Sequence, residues 1–221
     1  MTHLDTEITQ LKTDLREMMG LTVGQLEKAR DAMLRNDKEL AREVMFYERR
    51  VNSLELKIDR DCENILALLA PVAIDLRLVL ATLKINSSLE RIADNAESMA
   101  RYVSTAAEPF DAELLESIQM RPMFDTAVSM LSDIRDALDA EDSRIARGVL
   151  SKDDLLDSIN LAAPHTIEAF IRKNIDKTYQ SLFVLSAVRK LERVGDVCQN
   201  MAEEIIFYLE AKVVKHNLPK S

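Results

Sequence analysis

The chain has 221 residues, 38 acidic against 29 basic side chains and a formal charge of −9, with neither a basic stripe nor an aromatic–basic alternation, which argues against direct nucleic-acid binding. Only four glycines, five prolines and no tryptophan interrupt a background of Leu, Ala, Glu, Asp, Lys, Arg and Met, a balance that predicts an all-α fold. The longest apolar runs, such as 65–74, are too short to cross a bilayer, and the start Met1-Thr2-His3-Leu4-Asp5 lacks the basic and apolar regions of a signal peptide, so a soluble, cytoplasmic protein without membrane insertion is expected.

Apolar residues recur every three or four positions from Leu4 through Ile8, Leu11, Leu15 and Met18, predicting a first helix that continues to Met33. Asn36-Asp37 interrupts it and caps a second, whose seam reads Leu40, Val44, Tyr47, Val51, Leu54, Ile58, Cys62, Ile65 and Leu69 before Pro71 ends it. Asp75 is the expected cap of a third helix, with a seam through Ile85, Leu89, Ile92, Ala96, Met99 and Val103, and Pro109 closes this half. A fourth helix is expected over about 111–140, kinked or started by Pro122, a fifth over about 143–173 with Pro164 inside it, and a sixth over about 176–212. The sixth carries the seam Val184, Val188, Leu191, Gly195, Cys198, Ala202, Ile205 and Leu209.

The third and sixth helices repeat one another. Leu89-Glu90-Arg91-Ile92-Ala93-Asp94 returns as Leu191-Glu192-Arg193-Val194-Gly195-Asp196, an offset of 102 residues (Leu89 to Leu191) that also pairs Leu80 with Leu182 and Met99 with Met201. Two tandem three-helix bundles related by internal duplication are therefore expected, the first over 1–107, the second over 110–213, with a tail at 214–221.

Each copy carries a Glu-x-x-x-Asp pair, and residues four apart lie one above the other on a helix. Glu90 and Asp94, like Glu192 and Asp196, stand one position past the seam, at the border of the packed face. The second helix repeats the arrangement with Glu48 and Asn52, and the fifth with Asp153 and Asp157. Folding helix two back on three about residue 72, and five on six about residue 175, levels each pair with its partner to within about one turn, roughly 5.4 Å. Converging oxygen donors suit a hard cation, so two metal clusters are expected, and Mg, Mn, Ca and iron all suit such donors. A zinc site of the histidine or thiolate kind has no support. His3, His165 and His216 join no Glu-x-x-His pair, and Cys62 and Cys198 sit at apolar positions in different halves as buried free thiols. Asn52 brings an amide where its counterpart Asp157 brings a charge, which predicts a weaker first cluster. Arg91 and Arg193 are expected in surface ion pairs.

The duplicated Leu-Glu-Arg-Ile/Val-Ala/Gly-Asp segments, the Pro71-Val-Ala-Ile-Asp75-Leu76-Arg77 stretch, and the Glu48-Arg-Arg-Val-Asn52 and Asp153-Asp-Leu-Leu-Asp157 segments together resemble the PhoU family, the phosphate-uptake regulators of bacteria and archaea. The resemblance spans nearly the whole chain. It implies paired three-helix bundles that hold metal, often iron or zinc, and a homodimer. It also implies an adaptor without catalysis between the ATPase subunit of the phosphate ABC transporter and a membrane sensor kinase, repressing the phosphate-starvation response when phosphate is ample. The alternatives are a metal-dependent phosphohydrolase that uses the carboxylate clusters, and a plain helical scaffold with solvated acids.

Overall fold

A computed structural model describes residues 2–214, so the expected tail lies, from residue 215 on, outside the described residues, as does His216. Helices make up the fold, and no strand occurs among the described residues. The first bundle is built from α1 (His3–Arg35), α2 (Lys38–Leu69) and α3 (Ala73–Thr105). The second comprises α4 (Ala112–Ser117), α5 (Met120–Ala140), α6 (Ser143–Val149), α7 (Asp154–Lys173), a single 3-10 turn (Ile175–Lys177) and α8 (Thr178–Glu210). No helix of the described residues is long and apolar enough to cross a membrane.

Local chemistry sets the boundaries. Thr2 and Asp5 close a capping box on α1, and the Asp37 carboxylate accepts from the backbone N–H groups of Glu39 and Leu40 at the start of α2. Helix α2 stops at Leu69 ahead of Pro71, with Ala70 in the left-handed region. Asp75 does not cap α3. The helix begins two residues earlier, at Ala73, and Asp75 lies in its first turn, where a carboxylate still favours the positive end of the helix dipole.

The expected fourth and fifth helices are each broken in two. Asp111 caps α4 through Leu114 N–H, but Gln119 takes φ 55°, a left-handed conformation that no helix continues through, and α5 starts anew with Pro122 in its first turn. Asp142 caps α6, which ends at Val149, and a turn over 150–153 separates it from α7. Pro164 lies inside α7, and the helix runs on around it to Lys173.

The long helices bury the central parts of their seams, where Met18, Leu26, Ile58, Leu89, Ile92, Met99, Phe124, Leu191, Val194 and Met201 are all closed to solvent, while Leu40, Tyr47, Leu69 and Leu209 are partly buried. Cys62 and Cys198 are free and buried as expected, and burial pushes the Cys62 thiol up to about 12. The two bundles pack through α3 on α8 and through α1 on α5. Helices α3 and α8 run antiparallel, since Arg77 Nε donates to the Tyr208 carbonyl at 3.0 Å while Tyr102 Oη and Ser186 Oγ meet at 2.9 Å near the opposite end. Helices α2, α3, α8 and α7 thus form one layer in that order, and α1 and α5 cover a single side of it.

Within this junction Glu204, only 6% exposed, accepts both bonds of Lys84, at 2.9 and 3.1 Å. Removing one member of a buried pair leaves the other charge poorly compensated. Lys84→Met is expected to cost about 1–2 kcal/mol, Lys84 being more than half exposed, and Lys84→Met with Glu204→Met is expected to recover most of it. Urea titrations of the two singles and the double measure the coupling, and a coupling of zero would remove this pair from the stability of the junction.

Candidate metal centres

The α2–α3 and α7–α8 turns set the register in each bundle. Asn86 on α3 donates across to the Glu55 carbonyl at 2.9 Å and to Asp59 Oδ1 at 2.8 Å, which levels Glu90 with Glu55, and Glu97 with Glu48. In the second bundle Asp153 immediately precedes α7. Instead of capping that helix, its side chain turns toward α8, where Gly195 lies opposite.

The eight sequence-derived residues repeat one pattern of burial. Glu48 and Asp153 are buried, at 6% and 5% exposure; Glu90 and Glu192 are half-buried; Asn52, Asp94, Asp157 and Asp196 are exposed. Burial pushes the Glu48 carboxyl up to about 7, against a lowering hydrogen bond from Gln25, with Asp94, Glu97 and Glu90 adding repulsion. Burial likewise pushes Asp153 up to about 7, and Asp157, Asp196, Glu192 and Asp154 add to it. Glu90 and Glu192 are raised by burial and then by Asp94 and Asp196 respectively, and Asp196 by burial and Asp157. In both halves the carboxylates are close enough to disfavour one another's charge, and the levelling expected from the sequence holds.

Two orphaned atoms bear on what such sites hold. Gln25 Nε2 donates to Glu48 Oε2 at 3.0 Å, but Glu48 Oε1 is buried without a partner. Asp153 Oδ1 is equally buried and without a partner. A buried acceptor left bare costs free energy, and a cation among repelling carboxylates offsets both deficits. The donor set, all oxygen, therefore fits a hard metal ion, with Glu48, Asn52, Glu90 and Asp94 in the first site and Asp153, Asp157, Glu192 and Asp196 in the second. Among the described residues no three acid, histidine or cysteine side chains are yet gathered closely enough to coordinate one ion, so binding requires their side chains to turn inward.

The sequence reading missed part of the first site. Glu97 raises Glu48, and Glu55, itself raised by burial, Asp59 and Asp94, in turn raises Glu90. These two carboxylates bring to the first cluster the negative charge that Asn52 lacks. Their signal was spacing, because Glu55 lies seven residues after Glu48 and Glu97 seven after Glu90, two helical turns along the same face.

Gly195 has a specific reason to lack a side chain. A Cβ there would stand 2.1 Å from Asp153 Oδ1 and 2.6 Å from Leu156 Cδ1, while the equivalent position in the first half is the fully buried Ala93. Gly195→Ala is expected to displace the Asp153 carboxylate and weaken metal binding in the second half by about tenfold, while the gain in helix propensity, about 1 kcal/mol, limits any loss of stability. Calorimetric titration with Mn²⁺ checks this, and unchanged binding would mean that Asp153 need not point at α8.

Comparison with known proteins agrees with the duplicated architecture. The family model of the PhoU domain matches twice, over residues 15–103 and 120–205. The chain is 33% identical to the phosphate-specific transport system accessory protein PhoU of Edwardsiella tarda and 31% identical to that of Escherichia coli (strain K12), each over 97% of this chain and 87% and 88% of the relative. Among solved structures, PhoU from Pseudomonas aeruginosa superposes with a TM-score of 0.86 at 27% identity, covering 95% of this chain and all of that one. The phosphate transport system regulatory protein PhoU from Streptococcus pneumoniae gives 0.85 at 25% identity, covering 96% of this chain and all of that one. With the domain found once in each bundle and relatives alike over almost their whole length, this chain belongs to the PhoU family.

Proposed function

We propose that this protein is a regulator of phosphate uptake whose two carboxylate clusters take metal ions, and that the metal-braced bundles serve as an adaptor between the phosphate ABC transporter, through its ATPase subunit, and a membrane sensor kinase. In phosphate-replete cells it represses the starvation response. Family membership supports the phosphate-transport role, and the relatives carry names of accessory and regulatory proteins. The observation that carries the metal reading is the pair of buried, unpartnered oxygens, Glu48 Oε1 and Asp153 Oδ1, each facing like-charged neighbours at equivalent places in the two halves.

When bound, metal supplies the positive charge that lets these carboxylates stay ionised together. The chain's own residues do the rest: Gln25 fixes one oxygen of Glu48, and the missing side chain at Gly195 leaves room for Asp153. Elemental analysis of protein purified without chelator tests the site, with metal expected in wild type and reduced in Glu48→Gln with Asp153→Asn. Background metal in wild type would sink the cluster reading. Co-purification with the transporter ATPase subunit from phosphate-replete cells tests the adaptor role, and failure to recover that subunit under mild cross-linking would count against it.

A further inference from the structure

Among the described residues, the α2–α3–α8–α7 layer is covered on one side, by α1 and α5, and open on the other. Its outer side carries the acid clusters, and it carries exposed leucines at duplicated places. Leu56 follows Asn52 by four residues and Leu161 follows Asp157 by four, and these two are 70% and 82% exposed. Leu80 and Leu182 precede Asp94 and Asp196 by 14 residues, close to four full turns, so they share the face of those acids, at 37% and 54% exposure. Single exposed leucines need no explanation, but the same two per half beside the same acids form a pattern.

We propose that this outer side is a docking surface for a basic, leucine-bearing helix of a partner protein, one such helix lying along each of the α2–α3 and α7–α8 grooves. Charge complementarity selects the occupant. Exposed Asp94 and Asp196 stand in front of Glu48 and Asp153, whose buried oxygens lack partners, while Leu56 offers apolar contact at the height of Glu90 and Leu80 about 15 Å nearer the α2–α3 turn. A second copy of this acidic face would be repelled. From Leu80 to Glu97 the α3 wall runs about 26 Å, the length of a helix of about 17 residues. In taking a protein as its occupant the proposal rests on the regulator reading, but it requires no metal.

The test uses the full chain treated with EDTA and a fluorescently labelled synthetic helix of about 17 residues, with leucines and lysines interspersed along one face. Leu56→Ser with Leu161→Ser is expected to weaken anisotropy-measured binding about tenfold, and Asp94→Asn with Asp196→Asn is expected to weaken it similarly and flatten its salt dependence. Leu68→Ser with Ile175→Ser, at exposed positions by the helix turns, is expected to change it by less than about twofold. All six positions are exposed, so the variants fold. Equal effects of the two hydrophobic pairs, or equally tight binding of a composition-matched scrambled peptide, would overturn the docking surface. Loss of starvation control in cells without any such binding would overturn it while leaving the regulator reading intact.

Discussion

Metal-free protein is expected to become less stable as pH rises from about 5 to 7.5, and added metal is expected to reverse the loss. The carboxyls of Glu48 and Asp153 are both held up at about 7, largely by burial, whereas in the unfolded chain such groups titrate near 4. A raised acid is protonated at no cost below its unfolded value. As pH climbs toward the folded value the unfolded state ionises first, and the folded state must follow at a penalty. Stability contributed by the neutral form is therefore complete below about 4 and gone above about 7. Allowing for partial relaxation, each group accounts for roughly 2 kcal/mol, and for a chain of this size the two together correspond to a fall in thermal midpoint on the order of 10 °C. Glu55, Glu90, Glu192 and Asp196 are raised as well and act in the same direction.

Glu141 and Asp111, lowered by Lys12 and Lys177 respectively, act oppositely, but in a more acidic range where the folded protein loses stability as pH falls. The interval from 5 to 7.5 separates the two sets. Scanning calorimetry of EDTA-treated protein across that interval, repeated with Mn²⁺, and with Glu48→Gln and Asp153→Asn, measures the effect. The neutral variants are expected to be more stable than wild type at pH 7.5 without metal and to gain less from metal. A flat profile in the metal-free wild type would show that the clusters carry no stored repulsion, and with it the bracing role would fall.

How far the sequence led depended on what each feature needed. Long seams were legible because a 3.6-residue period over thirty positions admits one reading, and the levelling of the acids followed from two turns whose positions Pro71 and the 174–177 region mark. The break at Gln119 was half legible, since Pro122 has no N–H for the residue 118 carbonyl and marks a kink or a start, whereas the break at 150–153 was not, since no residue there forbids a helix and its backbone answers to packing of the second bundle. Asp75 has the residue type of a cap but stands three residues into α3, a boundary shift that propensity cannot resolve. Within the sites, a search for i, i+4 pairs found all four pairs and passed over Glu55 and Glu97, which join the same face at i+7. The inward turn of Asp153 had one visible trace: a glycine at position 195 where the repeat has Ala93.

The largest functional effect is expected from the second cluster. Glu192→Ala with Asp196→Ala should abolish repression of a starvation-promoter reporter in phosphate-rich medium, because these are the acids duplicated at Glu90 and Asp94, and they face Asp153 across the α7–α8 groove. The control must be chosen from the structure. Glu203 and Glu204, about two turns beyond Asp196 on α8, have no acidic counterparts at Arg101 and Tyr102, but Glu204 is buried and bridges the bundles to Lys84, so truncating it disturbs the junction itself. Glu113→Ala with Glu116→Ala on the short α4 removes two exposed acids far from either cluster and should leave repression near wild type. Protein abundance is followed alongside, since a destabilised chain is cleared and mimics loss of function. Full repression by the Glu192/Asp196 variant, at normal abundance and with metal in the second half absent by elemental analysis, would sever the cluster from regulation, and intact repression with metal retained would remove these two acids from the ligand set.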